Sequence, residues 1–480
     1  MAHATSIVFS QFPSYAKESF SYGKGVPAHL IGASLLATPF IFIFSIIDRI
    51  SGSTITVQRT PLNVSQSWSV FGFTISSLFY LWLTCLLLYK GLRLFFSSKI
   101  SSLAVILSVL VQGIPLFALR RPAFTHIYEI FLQSLLIFFL FRLIKLGYIL
   151  PGEQRSRRWK ESVLVGIVVS FVCLVRLNNI FIALAWPLIL FSVYYPSISW
   201  VRVLKMSFVS WLLILLAMII FMVLPMFYNL HHVHASDHIY FKTFLSLLTL
   251  KNPFFYLKRF WNLLFGIDFG LIFSAPYLLL GFISLAWVER NKVYTYLLML
   301  LIPLLINFYT VLHIGCLGSW YGYRYLIFSL LPILIYPLAY TLYLTEHKKW
   351  TALFYIILLL SIPPVLSMIS FEGNNANLTL KVIDQGFGVF DWGNNTYQAE
   401  IYKTILTNPV QYLTYILKGG ACYFIYLFSI LLKQNNLPTV IYEKYKVFQI
   451  ATFIKTIIVY LFPFALLLSY NGIYGWKKVR

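Results

Sequence analysis

Residues 152–160 read GEQRSRRWK and stand between two apolar runs, 126–147 and 161–177. Four cations lie within this stretch, Arg155, Arg157, Arg158 and Lys160. Each neighbouring run is about as long as a helix needs to cross a bilayer core. A basic turn between two such helices marks the cytoplasmic side.

Working outward, apolar spans fall near 68–90, 100–119, 126–147, 161–177, 179–196, 207–228, 269–288, 293–313, 324–345, 350–369, 411–432 and 449–472. The turns that alternate onto the side of GEQRSRRWK are YKGLRLFFSSK, SWVRVLK, VERNK, TEHKKW and KQNNLPTVIYEKYK, and every one carries Lys or Arg. The terminal GWKKVR falls on the other side, against the positive-inside rule,. Composition agrees: 60% of the 480 residues are hydrophobic and only 11% are charged, and mean hydropathy is +0.80. The expected fold is all-α, a single polytopic membrane domain over 1–480 with about twelve spans.

The net charge of +23 does not imply nucleic acid. The cations sit in short clusters between apolar runs, as topology and contact with anionic lipid require. Cys85, Cys173, Cys316 and Cys422 are scattered, with no CxxC and no His/Cys cluster, so neither a disulfide framework nor a metal site is indicated.

The chemistry-bearing residues gather on the face opposite GEQRSRRWK, in external segments 1–66, 229–268 and 370–410 and at the turns near 120 and 320. Span centres are nearly free of charge, which argues against an ion-coupled transporter and for a site at the outer interface. In GSWYGYRYLIFSLLP (318–332), Arg324 opens an apolar run behind Tyr321. It either anchors the helix at the interface or holds a phosphate with its planar fork. Arg120 and Arg121 pose the same alternative. His126 and Glu129, three residues apart, share one helical face and are candidates for a general base. Asp237 is the third, in HHVHASDH (231–238), where four histidines and an aspartate lie within eight residues. That loop is either solvated or the place for a divalent metal; no definite metal ligands are assigned. The apolar stretch 29–48 is long enough to span, although the count of basic turns suits an external N-terminus and an interfacial helix.

Several stretches in order add a resemblance: SYGKGVPAHLIGASLLATPF (21–40), RRPAFTHIYEIF (120–131), GIVVSFVCLVRLNNIFIAL (166–184) with its Arg-x-x-Asn, LPMFYN (224–229), FGIDFGLIFSAPYLLLG (265–281) and GSWYGYRYLIFSLLP. Together they resemble the glycosyltransferase-C superfamily, the polyprenyl-phosphate-sugar-using membrane enzymes that include protein mannosyltransferases and lipid A aminoarabinose transferases. The resemblance implies transfer of a sugar from a polyprenyl-phosphate donor to a glycan, lipid or protein acceptor. It places the protein in a bacterial inner membrane, with the active face periplasmic or extracellular. It implies that 29–48 lies along the outer surface, and that Lys24, Arg120, His126 and Arg324 converge on one outward cavity. The acidic residue that the family carries after its first span is not matched here: either that span and its acid are lost, or the start of the chain is assigned late. A flippase or exporter of lipid-linked glycans, and a glycan polymerase or ligase, are the alternative functions.

The expected topology has a direct test. In a background freed of its four cysteines, Ser10→Cys or Ser14→Cys should react with an impermeant maleimide in intact cells, and Ser156→Cys only after lysis. The reverse pattern inverts the whole frame.

Overall fold

The computed structural model describes residues 30–52, 68–110, 125–152, 154–194, 197–225, 252–265, 276–314 and 324–347, with a few isolated positions besides. All regular structure among them is helical. The α-helices are α1 (Gly32–Ile50), α2 (Trp68–Leu92), α3 (Ser98–Val105), α4 (His126–Leu146), α5 (Gln154–Val175), α6 (Ile180–Ser192), α7 (Trp200–Met218), α8 (Pro253–Phe265), α9 (Pro276–Ser284), α10 (Lys292–Ile314) and α11 (Arg324–His347). Single π turns extend α3 over Ile106–Leu110 and α7 over Ile219–Val223.

Among the described residues, four segments are long and apolar enough to cross a membrane: Gly32–Ile50, Phe71–Leu92, His126–Leu146 and Trp200–Val223. α4 is the centre of the bundle, with 72% of its most apolar window buried, whereas the Trp200–Val223 segment has 22% buried and turns most of its apolar surface outward. The last three expected spans, 350–369, 411–432 and 449–472, lie outside the described residues, apart from the isolated Leu359.

Contacts between helices set their directions. α2 and α4 run parallel, since Ser76 pairs with the Tyr128 hydroxyl at 2.7 Å while Gly91 abuts the Phe141 ring further along. α5 runs antiparallel to α4, with Glu161 meeting the backbone of Ile149 and Arg176 meeting Glu129 at the far end. α5 and α7 are parallel: Ser210 donates to the Ser162 carbonyl at 2.9 Å, and Gly166 admits Leu213 so closely that a Cβ there would stand 2.6 Å from it. α9 and α11 are parallel through Gly281–Leu334 and a Thr341–Ser284 hydroxyl bond of 2.5 Å. This alternation gathers Arg93, Lys99, Arg157, Lys160, Arg202 and Lys292 at one end of the bundle, where the basic turns were expected to fall together.

Some boundaries differ from expectation. GEQRSRRWK is not a loop: it is helical from Gln154, because Gln, Arg, Lys and Glu are good helix formers and the turn before it is tied down by Glu161. The external segment 229–268 contains α8, whose Pro253 suits a first helical position and whose Phe254 N–H donates to Asn252 Oδ1 at 3.0 Å. Its 13 residues are too few to span,, and Phe254, Leu257 and Trp261 are exposed.

α1 also differs from a helix lying across its neighbours. It pairs antiparallel with the first half of α2: Tyr80 O–H donates to Leu36 O at 2.8 Å, Phe40 meets Phe79, Phe44 meets Phe71, and Asp48 reaches the start of α2. α1 therefore packs lengthwise against α2 and runs in the opposite sense. Asp48, 1% exposed, accepts from Trp68 N–H at 2.7 Å, Ser69 N–H at 2.8 Å and Ser69 Oγ at 2.6 Å. A carboxylate from a different helix thus caps α2, whose first N–H groups have no partners of their own.

Asp48→Ala should therefore lower stability by about 1–2 kcal/mol, the upper range for a lost cap. The readout is the thermal midpoint of the purified protein in detergent, with Ser51→Ala as a neighbouring control. A midpoint unchanged from wild type would show that the cap carries no weight.

Candidate functional site

The site is assembled where α4 begins and α5 gives way to α6. α4 opens at His126 behind Thr125, whose side chain makes no cap bond. His126, Glu129 and Gln133 follow at positions that share one helical face, and all three are buried. An apolar helix that turns such a stripe inward must find partners for it.

The α5–α6 corner supplies them. α5 stops at Val175 because Arg176 is extended, with φ −155° and ψ 120°. One 3₁₀ turn, Leu177–Asn179, then leads into α6. Asparagine competes well with helical backbone bonding, and two in succession suit a break here. Asn179 stands at the N-cap of α6 yet makes no cap bond with its side chain. Its amide donates instead to Glu129 Oε1 at 2.7 Å. Further along the stripe, Trp186 of α6 donates to Gln133 Oε1 at 3.1 Å.

Arg176 Nη1 lies 3.2 Å from Glu129 Oε2 and 2.8 Å from His126 Nδ1. The 3.7 Å gap between His126 Nδ1 and Glu129 Oε2 has the length of an ion pair, but the chemistry says otherwise. A guanidinium can only donate, so His126 Nδ1 must be an acceptor. The ring is then neutral, with its proton on Nε2, and both His126 and Glu129 accept from the same arginine nitrogen. The charges of Glu129 and Arg176 cancel, as a pair buried to 1% and 10% of side-chain exposure demands,.

Gly32 closes the corner. A Cβ at this position would stand 2.4 Å from the backbone of Leu174 and Val175, so only glycine lets the start of α1 approach the end of α5 this closely.

This arrangement bears on the roles expected of its members. His126 and Glu129 do share a buried face. Both Glu129 oxygens, however, are engaged, and at 1% exposure an acceptor hydroxyl does not reach it in this conformation. Glu129 is built to orient Arg176. Arg176 and Asn179 were not among the candidate residues, although their Arg-x-x-Asn spacing is legible in the sequence; the signal was a polar motif inside an apolar helix pair. Lys24, Arg120, Arg121, Asp237 and Tyr321 lie outside the described residues, and of Arg324 only the backbone is described, as the first residue of α11. The expected convergence of Lys24, Arg120 and Arg324 with His126 thus lies outside them too. Among the described residues no group of three or more His, Cys, Asp or Glu could hold a metal. Cys85 and Cys173 are buried free thiols.

No family model, curated protein or solved structure matches this chain.

Removing both members of the buried pair should cost less than the sum of the two single removals. Glu129→Ala leaves Arg176 uncompensated and should destabilise by about 3–5 kcal/mol. The Glu129→Ala/Arg176→Ala double variant should fall short of the sum of the two single losses by about 1–3 kcal/mol. A double-mutant cycle on detergent unfolding measures it, and strict additivity would mean that the two side chains do not interact.

Proposed function

We propose that the protein is a membrane glycosyltransferase that moves a sugar from a polyprenyl-phosphate donor to a glycan, lipid or protein acceptor. Its site lies at the end of the bundle away from the basic turns, on the outer face of a bacterial inner membrane, within a fold of about twelve spans. The observation that carries this is a convergence. Gly32, the His126–Glu129 pair and Arg176–Asn179 belong to three separate stretches, 21–40, 120–131 and 166–184, which resemble one superfamily in order along the chain. All three meet at the α4/α5–α6 corner.

The chemistry suits that role. The departing polyprenyl phosphate needs a cation to stabilise it, and arginine stays charged under burial while matching phosphate oxygens with a planar fork. Arg176 is held in place by Glu129 and His126, and Arg324 opens α11. Both are proposed phosphate ligands, with Asn179 holding Glu129 from the other side. The acceptor would need a base other than the Glu129 carboxylate and His126 Nδ1, both of which accept from Arg176. Asp237 is the remaining candidate.

Binding of undecaprenyl phosphate to the purified protein tests this without requiring turnover. Arg176→Lys and Arg324→Lys keep the charge but lose the fork. Each should weaken binding by roughly tenfold to a hundredfold, corresponding to about 1.5–3 kcal/mol for a charge-assisted hydrogen bond. Wild-type affinity in both, with thermal midpoints unchanged, would reduce the quartet to a structural clamp and Arg324 to an interfacial anchor.

A further inference from the structure

A second polar cluster lies at the opposite end of α4, around the turn into α5. Glu161 is fully buried and accepts from the backbone N–H groups of Ile149 at 2.7 Å and Leu150 at 2.9 Å. The Tyr194 hydroxyl donates to its other oxygen. The carboxylate is thus committed to pinning the turn.

The arginines around it lie against rings, and Arg157 Nη1 also donates to the Gly152 carbonyl at 3.3 Å. The Arg142 guanidinium carbon is 5.7 Å from the Phe138 ring centre and 5.6 Å from that of Tyr148. Arg157 lies 5.3 Å from the same Tyr148 ring, and Arg158 lies 5.3 Å from the Tyr194 ring. The Nε atoms of all three are buried without a hydrogen-bond partner. Glu161 Oε1 stands 3.9 Å from Arg157 Nε, beyond hydrogen-bond reach. Residues 142–161 hold six cations against two acids, Glu153 and Glu161, so positive charge is in surplus here.

We infer that Arg142, Arg157 and Arg158 form a binding site for an anionic phosphate group, supplied by a phospholipid headgroup at the basic end of the bundle. A guanidinium has five donors and no acceptor, and aromatic faces hold it in a fixed plane while leaving its edge for phosphate oxygens. The site's surroundings select lipid as the source. Arg142 sits one turn before the end of an apolar helix. Leu146, 42% exposed, and Trp159, 61% exposed, flank the cluster with the apolar surface that acyl chains and the bilayer interface favour. Topology alone needs only positive charge at this end, which lysine supplies equally well. A phosphate site needs the fork.

The experiment titrates the full-length protein in detergent with dioctanoyl phosphatidylglycerol, dioctanoyl phosphatidylcholine and inorganic phosphate, reading bound ligand by native mass spectrometry. Wild type should bind phosphatidylglycerol about tenfold more tightly than phosphatidylcholine. Arg142→Lys/Arg158→Lys, with net charge unchanged, should lose most of that preference, as should Arg157→Lys alone to a smaller degree. Arg202→Lys, a cation at the same end but outside the cluster, should retain it. Thermal midpoints check that the lysine variants fold. Wild-type preference in the double variant overturns the site and leaves charge alone as the cause. Equal loss in Arg202→Lys overturns it in favour of a diffuse basic surface. Inorganic phosphate binding as tightly as phosphatidylglycerol overturns the lipid assignment.

Discussion

A carboxylate inside an apolar bundle has to bring its counter-charge with it, and the Glu129–Arg176 pair is where this chain meets that requirement. The pair joins the first turn of α4 to the point where α5 breaks. Unpaired, either charge would stand in a low-dielectric interior at a cost of several kcal/mol. The extended backbone of Arg176, the short 3₁₀ turn and the uncapped start of α6 all serve to keep the two side chains together. Gly32 then lets α1 close over the same corner. Local helix rules are relaxed at each of these points, and the buried pair is the compensation.

α4 therefore carries different chemistry at its two ends. At one, a neutralised quartet holds a guanidinium in a fixed place with its carboxylate already occupied. At the other, the Glu161 carboxylate is spent on backbone amides, and the guanidinium groups of Arg142, Arg157 and Arg158 stack on aromatic rings. The first arrangement gives rigidity and charge balance. The second leaves positive charge in surplus near the ends of apolar helices. Glu129 and Glu161 are both fully buried, yet one organises an ion pair and the other a turn, because of what each can reach.

Much of this was legible in the chain. The basic turns gave a consistent order of helix directions, and packing returns that order: α2 with α4, α5 with α7 and α9 with α11 run parallel. His126 and Glu129 were legible as neighbours on one face because their spacing is local. Their partners were not, since Arg176 lies 47 residues beyond Glu129 and no periodicity connects the two. The antiparallel run of α1 on α2 was equally hidden. Hydropathy describes how apolar a segment is but not which helix it lies against. The helical start of α5 is hidden for another reason: hydropathy ends where its charged residues begin, although those residues favour helix.

By itself, the sequence determined an all-helical chain with segments apolar enough for a bilayer and with its cations collected in alternate turns. These properties follow from residue type and spacing, which act along the chain. Tertiary structure decided which buried charge meets which partner, where α5 breaks, and which arginines lie against aromatic rings. Those outcomes depend on distances between residues far apart in sequence. In a bundle of apolar helices, the few polar side chains must pair across helices, and that pairing exists only once the helices have packed.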